Sequence, residues 1–460
     1  NVSDCYALVE KLMILKSFAF DTETSSLNAL EAEIVGLSFS YKAREAYYVP
    51  ISTNPKERDE ILAVFKPLFE NERIEKVGQN IKYDYHILAN YGIELRGQFF
   101  DTMIAHYLLQ ADMRHNMTVL AETYLNYSPI KIETIIGKGK TQLNMRELPA
   151  IKIKNYACED ADVTWQLKTV FEPLLKEESL VSLFQEIEMP LVSVLAKMER
   201  EGINLDQGCL QTFSKELEAS VKTIQDEIFD VAGIEFNISS PKQLGEVLFD
   251  HLKIDDKAKK TKTGQYSTSE EVLSKLKKKH PAVEKVLTFR SLQKLRSTYV
   301  DALPGLVNTN TQRIHTSFNQ AVAATGRLSS NNPNLQNIPI RTERGREVRK
   351  AFIPRDDDHI LLAADYSQVE LRLIAEMSKD PVMVEAFKQD LDIHSATASK
   401  VFNVPLDEVT REMRSNAKTV NFGIIYGVSA FGLSQQSSLS RKEAAEIIKN
   451  YFATYPKLKE

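Results

Sequence analysis

A chain of 460 residues is long enough for two or more domains with substantial cores. With 43% hydrophobic and 26% charged residues its composition is that of an ordinary globular protein, which excludes a mainly disordered or fibrous chain. The 58 basic and 63 acidic residues leave a net charge of −5, so attraction to nucleic acid has to come from local patches. No apolar run approaches the roughly 20 residues needed to span a bilayer, and the segment Asn1 to Leu8 lacks the basic start of a signal peptide. Cys5, Cys158 and Cys209 show no metal-like spacing and argue against a disulfide framework, so the expected setting is the cytoplasm, away from any membrane.

Residues 1 to about 175 alternate short β-like runs, Phe18 to Asp21, Ile34 to Tyr41 and Ala46 to Pro50, with helical stretches. That alternation is an α/β pattern. The first run continues as Phe18-Ala-Phe-Asp-Thr-Glu-Thr24, with Asp21 and Glu23 two residues apart. On a strand such residues face the same side, where two carboxylates can grip one divalent cation. Phosphodiester chemistry uses such grips: two metal ions roughly 3.5–4 Å apart serve the attacking water, the leaving oxygen and the phosphate charge when several carboxylates converge on them. Taken alone, the pair is equally the mark of solvated acids at a strand end.

Two more acidic segments follow. Val77-Gly-Gln-Asn-Ile-Lys-Tyr-Asp84 places an acid just after a short apolar stretch, and Asn155-Tyr-Ala-Cys-Glu-Asp-Ala-Asp162 is read as the opening of a helix. In that helix Tyr156 and Asp160 are four apart and share a face, so a phenol beside a carboxylate is available to orient a water.

From Glu186 to Arg200 the apolar spacing is helical, and Gly202 supplies a stop, which puts a domain boundary near 175 to 190. Residues 207 to 303 read as mostly helical and Lys-rich. Within them Lys253 to Lys279 is strongly basic, either a solvated face or a flexible tip able to track a phosphate backbone. Residues 305 to 365 read as strands and turns after the punctuation of Pro304-Gly305.

The run from His359 to Asp365 is expected to be an apolar strand ending in an acid, followed at once by a helix carrying Glu370 and Arg372. An acid at the carboxyl end of a buried strand is a candidate metal ligand and equally a helix N-cap. Downstream, Arg414, Lys418, Phe422 and Tyr426 recur at steps of four, one slanted helical stripe with two cations and then two aromatics. Such a stripe suits a triphosphate at one end and a stacked base at the other; without Asp365 a surface stripe running into core aromatics would be the better reading.

The ordered acids, Asp21 with Glu23, then Asp84, then Tyr156 with Asp160, resemble the proofreading 3'-to-5' exonucleases of the DEDDy type, whose fold is similar to ribonuclease H. That resemblance implies Asp21, Glu23, Asp84 and Asp160 as metal ligands and Tyr156 as the residue orienting the attacking water. It also implies Leu27, Gln79 and Asn80 as contacts to a frayed strand and Arg114 as a phosphate contact. For Leu27 the alternative is ordinary core, and for Arg114 a solvated loop charge.

In the second half, Asp365-Tyr-Ser-Gln-Val-Glu-Leu-Arg372 and Arg414 to Gly427, supported by Ala324 to Arg341 and Asp392 to Thr397, resemble family A DNA polymerases. The resemblance covers essentially the whole chain. It implies a multidomain α/β and α+β fold: a ribonuclease H-like exonuclease domain over 1–178, then the N-terminal part of a polymerase domain over 186–460. That part would divide into a thumb at about 200–300, a partial palm at about 305–380 and partial fingers at about 381–460. Asp365 would hold both catalytic magnesium ions. Arg414 and Lys418 would bind the triphosphate, with Lys418 the acid for pyrophosphate departure, and His394 would add a phosphate contact. Phe422 and Tyr426 would pack on sugar and base, Glu370 would exclude a 2'-hydroxyl, and Arg327, Asn334, Gln336 and Arg341 would contact primer-template.

The cofactor implied is Mg2+, two per active site, with Mn2+ or Zn2+ as alternatives in the exonuclease site. The implied partners are primer-template DNA, single-stranded 3' ends and, for the full-length enzyme, deoxynucleoside triphosphates; the implied state is a monomer. The family's second metal-binding aspartate lies in a His-Asp-Glu turn, and no His-Asp-Glu occurs before the chain stops at Glu460. The 5' nuclease domain common in the family is likewise not expected within these 460 residues. The chain is therefore expected to be exonuclease-competent and polymerase-incompetent, acting in DNA replication and repair, with a non-catalytic DNA-binding fragment as the alternative. A ribonuclease D-like RNA exonuclease would share the acids but leave the second constellation unexplained. Ser415 and Met145 depart from residues common in relatives, putting one phosphate or template contact and one aromatic packing contact in doubt.

Overall fold

A computed structural model describes residues 2–262, 264–340, 342–436 and 439–459. The chain forms two compact units, residues 1–360 and 361–460. The first unit is built around a five-stranded sheet of order β3-β2-β1-β4-β5: β1 (Ser17–Thr24), β2 (Ile34–Lys42), β3 (Glu45–Pro50), β4 (Glu75–Gly78) and β5 (Phe99–Asp101). β2 runs antiparallel to β1 and β3, while β1, β4 and β5 are parallel.

Alternation along β1 explains the burial on its two faces. Phe18 and Phe20 point to one face, where their rings meet Phe69 of helix α2 (Pro55–Phe69), itself packed on α1 (Val2–Met13), with centroids 6.4 and 5.1 Å away. Phe39 of β2 stacks on Phe65 of the same helix at 5.1 Å. The other face carries Ala19, Asp21 and Glu23 and is covered by the long helix α5 (Ala150–Glu177), which follows α3 (Ile81–Asn90) and α4 (Thr102–Leu109) in sequence. The segment Asn155 to Asp162 therefore lies inside a helix that begins five residues earlier, at Ala150 after Pro149, rather than opening one.

One buried carboxylate organises the sheet's carboxyl end. Asp101 accepts from Met103 N at 2.8 Å as the N-cap of α4, and also from Asn80 N and Ile81 N at 3.1 and 2.9 Å at the start of α3. Two helix N-termini thus share one acceptor, which holds α3 and its Asp84 over the end of β1.

Helix α6 (Met189–Glu201) closes at Gly202, as the spacing indicated. Gly202 has φ +63°, and a Cβ there would lie 2.6 Å from Ile314 O, so both conformation and space require glycine. Met189, Val192 and Ala196 of α6 join the core of the five-stranded sheet. A second core surrounds Ile228, Leu248 and Val286, between α7 (Gln207–Ala232) and α8 (Pro281–Leu295). A third, with Leu210, Leu217, Ile314 and Val348, lies beside the short pairs β6 (Asn204–Leu205) with β9 (Phe352–Ile353) and β7 (Ser317–Asn319) with β8 (Ser329–Asn331).

The second unit is helical. Its core of Leu371, Met383, Ile393, Val420, Leu433, Ile447 and Tyr451 is shared by α9 (Val369–Ser378), α10 (Ile393–Phe402), α11 (Arg411–Ile425) and α12 (Arg441–Thr454), with smaller helices between them. The strand expected over His359 to Asp365 does not form. Ile360 and Leu362 are 85% and 87% exposed, and no neighbouring strand pairs with the segment among the described residues. An apolar run becomes a strand only when another strand meets its N–H and C=O groups.

Candidate active site

Asp21 and Glu23 extend from one face of β1, and α5 presents Asp160 to them, because Ile153, Ala157 and Ala161 seat that helix in the core. One carboxylate oxygen from each of Asp21, Glu23 and Asp160 lies within 4.8 Å of the others. Asp84 stands beside this trio rather than within it. Its Oδ1 accepts from Thr22 N at 3.0 Å and from Thr22 Oγ1 at 2.6 Å, so the residue between the two β1 acids fixes the fourth acid. Tyr156, one turn before Asp160, sits with its phenol close to that carboxylate.

Burial without a counter-charge pushes all four acids upward. Asp21 rises to about 7, from desolvation. Glu23 rises well above its ordinary value through burial and then the charges of Asp21, Asp160 and Asp84. Asp160 rises through burial and Asp21, and Asp84 through burial and Asp21 against the two bonds from Thr22. Burial and the neighbouring acids also raise Tyr156, which keeps it a phenol. Glu23 is 4% exposed, and its Oε1 has no hydrogen-bond partner among the described residues. A sealed, unpartnered carboxylate oxygen beside two further acids fits a divalent cation: it supplies the lone pairs such an ion takes, and the ion would remove the repulsion.

The expected strand contacts differ in how far the fold commits them. Leu27 is 95% exposed, which disposes of the core alternative. Asn80 is exposed, with a left-handed backbone (φ 61°) at the N-cap of α3. Gln79 is committed to the protein: its Nε2 donates to His115 O at 2.7 Å, and its Oε1 accepts from Thr102 Oγ1. Arg114 is exposed beside the buried His115, whose Nδ1 lies 2.8 Å from His106 Nδ1. Met145, where an aromatic contact was in doubt, is buried with Val35, Ile153 and Ala157 and against Tyr156.

Sequence reasoning missed Thr22, Asp101 and Tyr83, whose hydroxyl meets Thr24 Oγ1 at 2.5 Å and Ser26 O at 2.6 Å and so braces the chain leading to Leu27. For Thr22 a signal existed in its place between Asp21 and Glu23. The roles of Asp101 and Tyr83 arise from tertiary contacts alone.

In the second unit the nucleotide candidates come together around α10 and α11. Arg414 makes a two-point pair with Asp392, Nε to Oδ1 at 3.2 Å and Nη2 to Oδ2 at 2.7 Å. His394 is buried, with its ring 5.7 Å from that of Phe422. Lys418 is exposed on α11. Helix α11 ends one residue before Tyr426, whose hydroxyl donates to Glu370 Oε1 at 3.2 Å. Asp365 is exposed on irregular chain instead of ending a buried strand, and among the described residues no group of metal-ligating side chains gathers around it.

Arg327, Asn334 and Gln336 are exposed on or near the β7–β8 hairpin; Gln336 lines an open groove of about 1100 Å³ with Arg290, Lys294, Tyr299 and Arg344. Arg341 lies outside the described residues. Within the basic stretch, Lys275, Lys277 and Lys279 pair with Glu271, Glu284 and Asp255, and Lys260 lies over the Tyr266 ring, so part of that charge is neutralised locally.

A mixed sheet of order 3-2-1-4-5 with converging acids on its central strand defines a ribonuclease H-like nuclease unit, here followed by helical and β-hairpin elements. The comparisons take this further. A profile described as 3'-5' exonuclease matches residues 3–176, and one described as DNA polymerase family A matches residues 207–460. The chain belongs to DNA polymerase family A.

It is 48% identical to DNA polymerase I of Pseudomonas aeruginosa over 98% of its own length and 50% of that protein. To DNA polymerase I of Borreliella burgdorferi it is 43% identical, over 98% of this chain and 49% of that one. The chain thus spans about half the length of the curated relatives it matches. A solved structure, the POL domain of Pol1 from M. smegmatis in complex with DNA primer-template and dNTP, is similar with a TM-score of 0.85 and 33% identity, covering 99% of this chain and 76% of that one.

Proposed function

We propose that the chain is the proofreading exonuclease together with part of the nucleotidyltransferase machinery of a DNA polymerase I that acts in replication and repair. The observation that carries the exonuclease reading is the convergence of Asp21, Glu23 and Asp160 within 4.8 Å, with Glu23 Oε1 sealed and unpartnered. Asp21, Glu23, Asp160 and, beside them, Asp84 would hold divalent cations. Magnesium is the resident ion we favour, since an all-carboxylate site suits a hard cation. When bound, the ions supply charge neutralisation at the scissile phosphate and at the leaving 3' oxygen.

The protein's own groups do the rest. Tyr156, whose phenol lies close to Asp160, orients the attacking water. Exposed Leu27 and Asn80 meet the terminal nucleotides, and Arg114 holds a phosphate. Gln79 supports this surface indirectly, through His115 O.

In the second unit Arg414, Lys418 and His394 receive a deoxynucleoside triphosphate, Phe422 and Tyr426 pack on it, and Glu370 limits the 2' position. Arg327, Asn334, Gln336 and Arg341 contact primer-template. Asp365 serves as a metal ligand and Lys418 as the acid for pyrophosphate in the whole enzyme, for which a cytoplasmic monomer is the state we favour. Among the described residues no helix is long and apolar enough to cross a membrane.

The test is a 5'-labelled primer-template incubated with this chain, Mg2+ and all four deoxynucleotides. Products shorter than the primer, lost in Asp21→Ala, are the expected result. Unchanged primer would point to a DNA-binding fragment without catalysis, and longer products would mean that these 460 residues suffice to polymerise.

A further inference from the structure

Helices α10, α11 and α12 close around a buried polar thread. Tyr455, just past α12, is fully buried, and its hydroxyl lies 3.1 Å from Thr397 Oγ1. Thr397 Oγ1 is 3.2 Å from Asn421 Oδ1, and Asn421 Nδ2 is 2.9 Å from Nδ1 of His394. Thr397 and Asn421 are also fully buried, and His394 is 3% exposed.

The ends of the thread fix its direction. A sealed phenol has to give its proton to an acceptor, because an unmet O–H in the interior is costly. Thr397 Oγ1 is the acceptor Tyr455 has among the described residues. Tyr455 therefore donates to Thr397, Thr397 donates to Asn421 Oδ1, and the Asn421 amide donates to His394 Nδ1. Reversed, His394 Nδ1–H would donate to Asn421, and Thr397 Oγ1 would have to accept from both the Asn421 amide and Tyr455, leaving its own proton only a carbonyl of its own helix. A neutral imidazole that accepts at Nδ1 carries its proton on Nε2. His394 Nε2 makes no hydrogen bond among the described residues and is not one of the sealed, unpartnered atoms of the interior.

We infer that Tyr455, Thr397 and Asn421 are positioning residues that hold His394 as its Nε2–H tautomer, a neutral donor offered to a phosphate of the bound nucleotide. This rests on the reading of His394 as part of a triphosphate site. The ring's surroundings agree with a neutral imidazole: burial, and then the cations Arg414 and Lys418 against the opposing Asp392, bring it to about 4. An imidazolium would donate from either nitrogen, but a neutral ring donates from one, so its tautomer decides whether the phosphate meets an N–H or a lone pair.

The experiment is multiple-bond 1H–15N NMR of the whole chain labelled at histidine, with the His394 signals identified by their loss in His394→Ala. The expected spectrum is the Nε2–H pattern, unchanged from about pH 6 to 8; the Nδ1–H pattern would overturn the thread. Tyr455→Phe keeps the volume and removes the proton that sets the direction, so a second tautomer should appear, and an unchanged spectrum would refute the polarity. Asn421→Asp offers an acceptor to Nδ1–H, turning the Nε2 lone pair toward the ligand. Binding of Mg–dATP, followed by calorimetry, should weaken at least about tenfold in that variant. The spectrum judges the thread without nucleotide. If it shows Nε2–H while His394→Ala binds Mg–dATP as well as the parent, the thread holds and the nucleotide reading of His394 is what fails.

Discussion

Removing metal should make the stability of the exonuclease unit depend on pH in a direction opposite to that of ordinary salt-bridged acids. Asp21 stands at about 7 in the fold against an ordinary 3.8. Its folded value is the higher, so its contribution is complete below pH 3.8 and is lost as pH rises through about 7. For that one group the linkage relation gives a loss of about 2 kcal/mol between pH 5.5 and 8. Glu23, Asp84 and Asp160 shift in the same direction and add to it.

The protein carries a convenient reporter, since its one tryptophan, Trp165, lies on α5 five residues after Asp160 and packs against the sheet's core. Urea unfolding followed by Trp165 fluorescence in EDTA should give a lower unfolding free energy at pH 8 than at pH 5.5. Added Mg2+ should recover the loss at pH 8, because a bound cation competes with the protons for the same oxygens. Asp21→Asn should flatten the profile by more than its own share, because its charge also raises Glu23, Asp84 and Asp160. If the metal-free protein is equally stable at both pH values, or more stable at pH 8, the account of an uncompensated buried acid cluster is wrong.

Other outcomes can be checked alongside. Tyr156→Phe should slow removal of 3' nucleotides by roughly a hundredfold, the scale of losing one positioned hydrogen-bonding group, with single-strand binding in Ca2+ unchanged. Thr22→Val removes the hydroxyl held 2.6 Å from Asp84 and should cost about 1–3 kcal/mol in urea unfolding as well as cleavage rate; equal activity would separate Asp84 from the site. Glu199 is buried and accepts from Lys82, from His86 Nε2 at 2.7 Å and from Phe318 N at 2.6 Å, so Glu199→Ala should destabilise by about 3–5 kcal/mol. A cost under about 1 kcal/mol there would mean the pocket refills with water.

The residues that could be recognised before folding are those whose chemistry is local. Asp21 and Glu23 share a strand face and Tyr156 and Asp160 a helix face, so spacing alone paired them, and the apolar run Phe18-Ala-Phe20 marked β1. What escaped is set by other parts of the chain. The start of α5 was placed late because Pro149, its N-cap, makes no side-chain capping bond, and Ala150-Ile-Lys-Ile-Lys154 alternates apolar and charged residues with the period of a strand. The His359 to Asp365 run has the composition of a strand, but strand formation depends on a neighbour, and composition does not reveal one. Asp101 looks like any acid before a helix, and only the fold brings Asn80 N and Ile81 N to it as well.

The two sites are in opposite electrostatic conditions, and this bears on how each is filled. In the proposed nuclease site three acids converge with a fourth beside them and no counter-charge, so an incoming cation lowers the energy of groups already in place and should need little rearrangement of them. In the second unit the anion is already present: Asp392 is half-buried, and although burial opposes it, the bonds from Arg414 and from Ser395 N bring it down to about 2. On the proposed reading, a triphosphate reaching Arg414 competes with an internal carboxylate, and its net gain is the difference between two charge-assisted pairs. The neutral donor at His394 has no such competitor among the described residues. Discrimination between occupied and empty states in this unit should accordingly rest more on the Arg414–Asp392 exchange, and orientation of the phosphate more on His394.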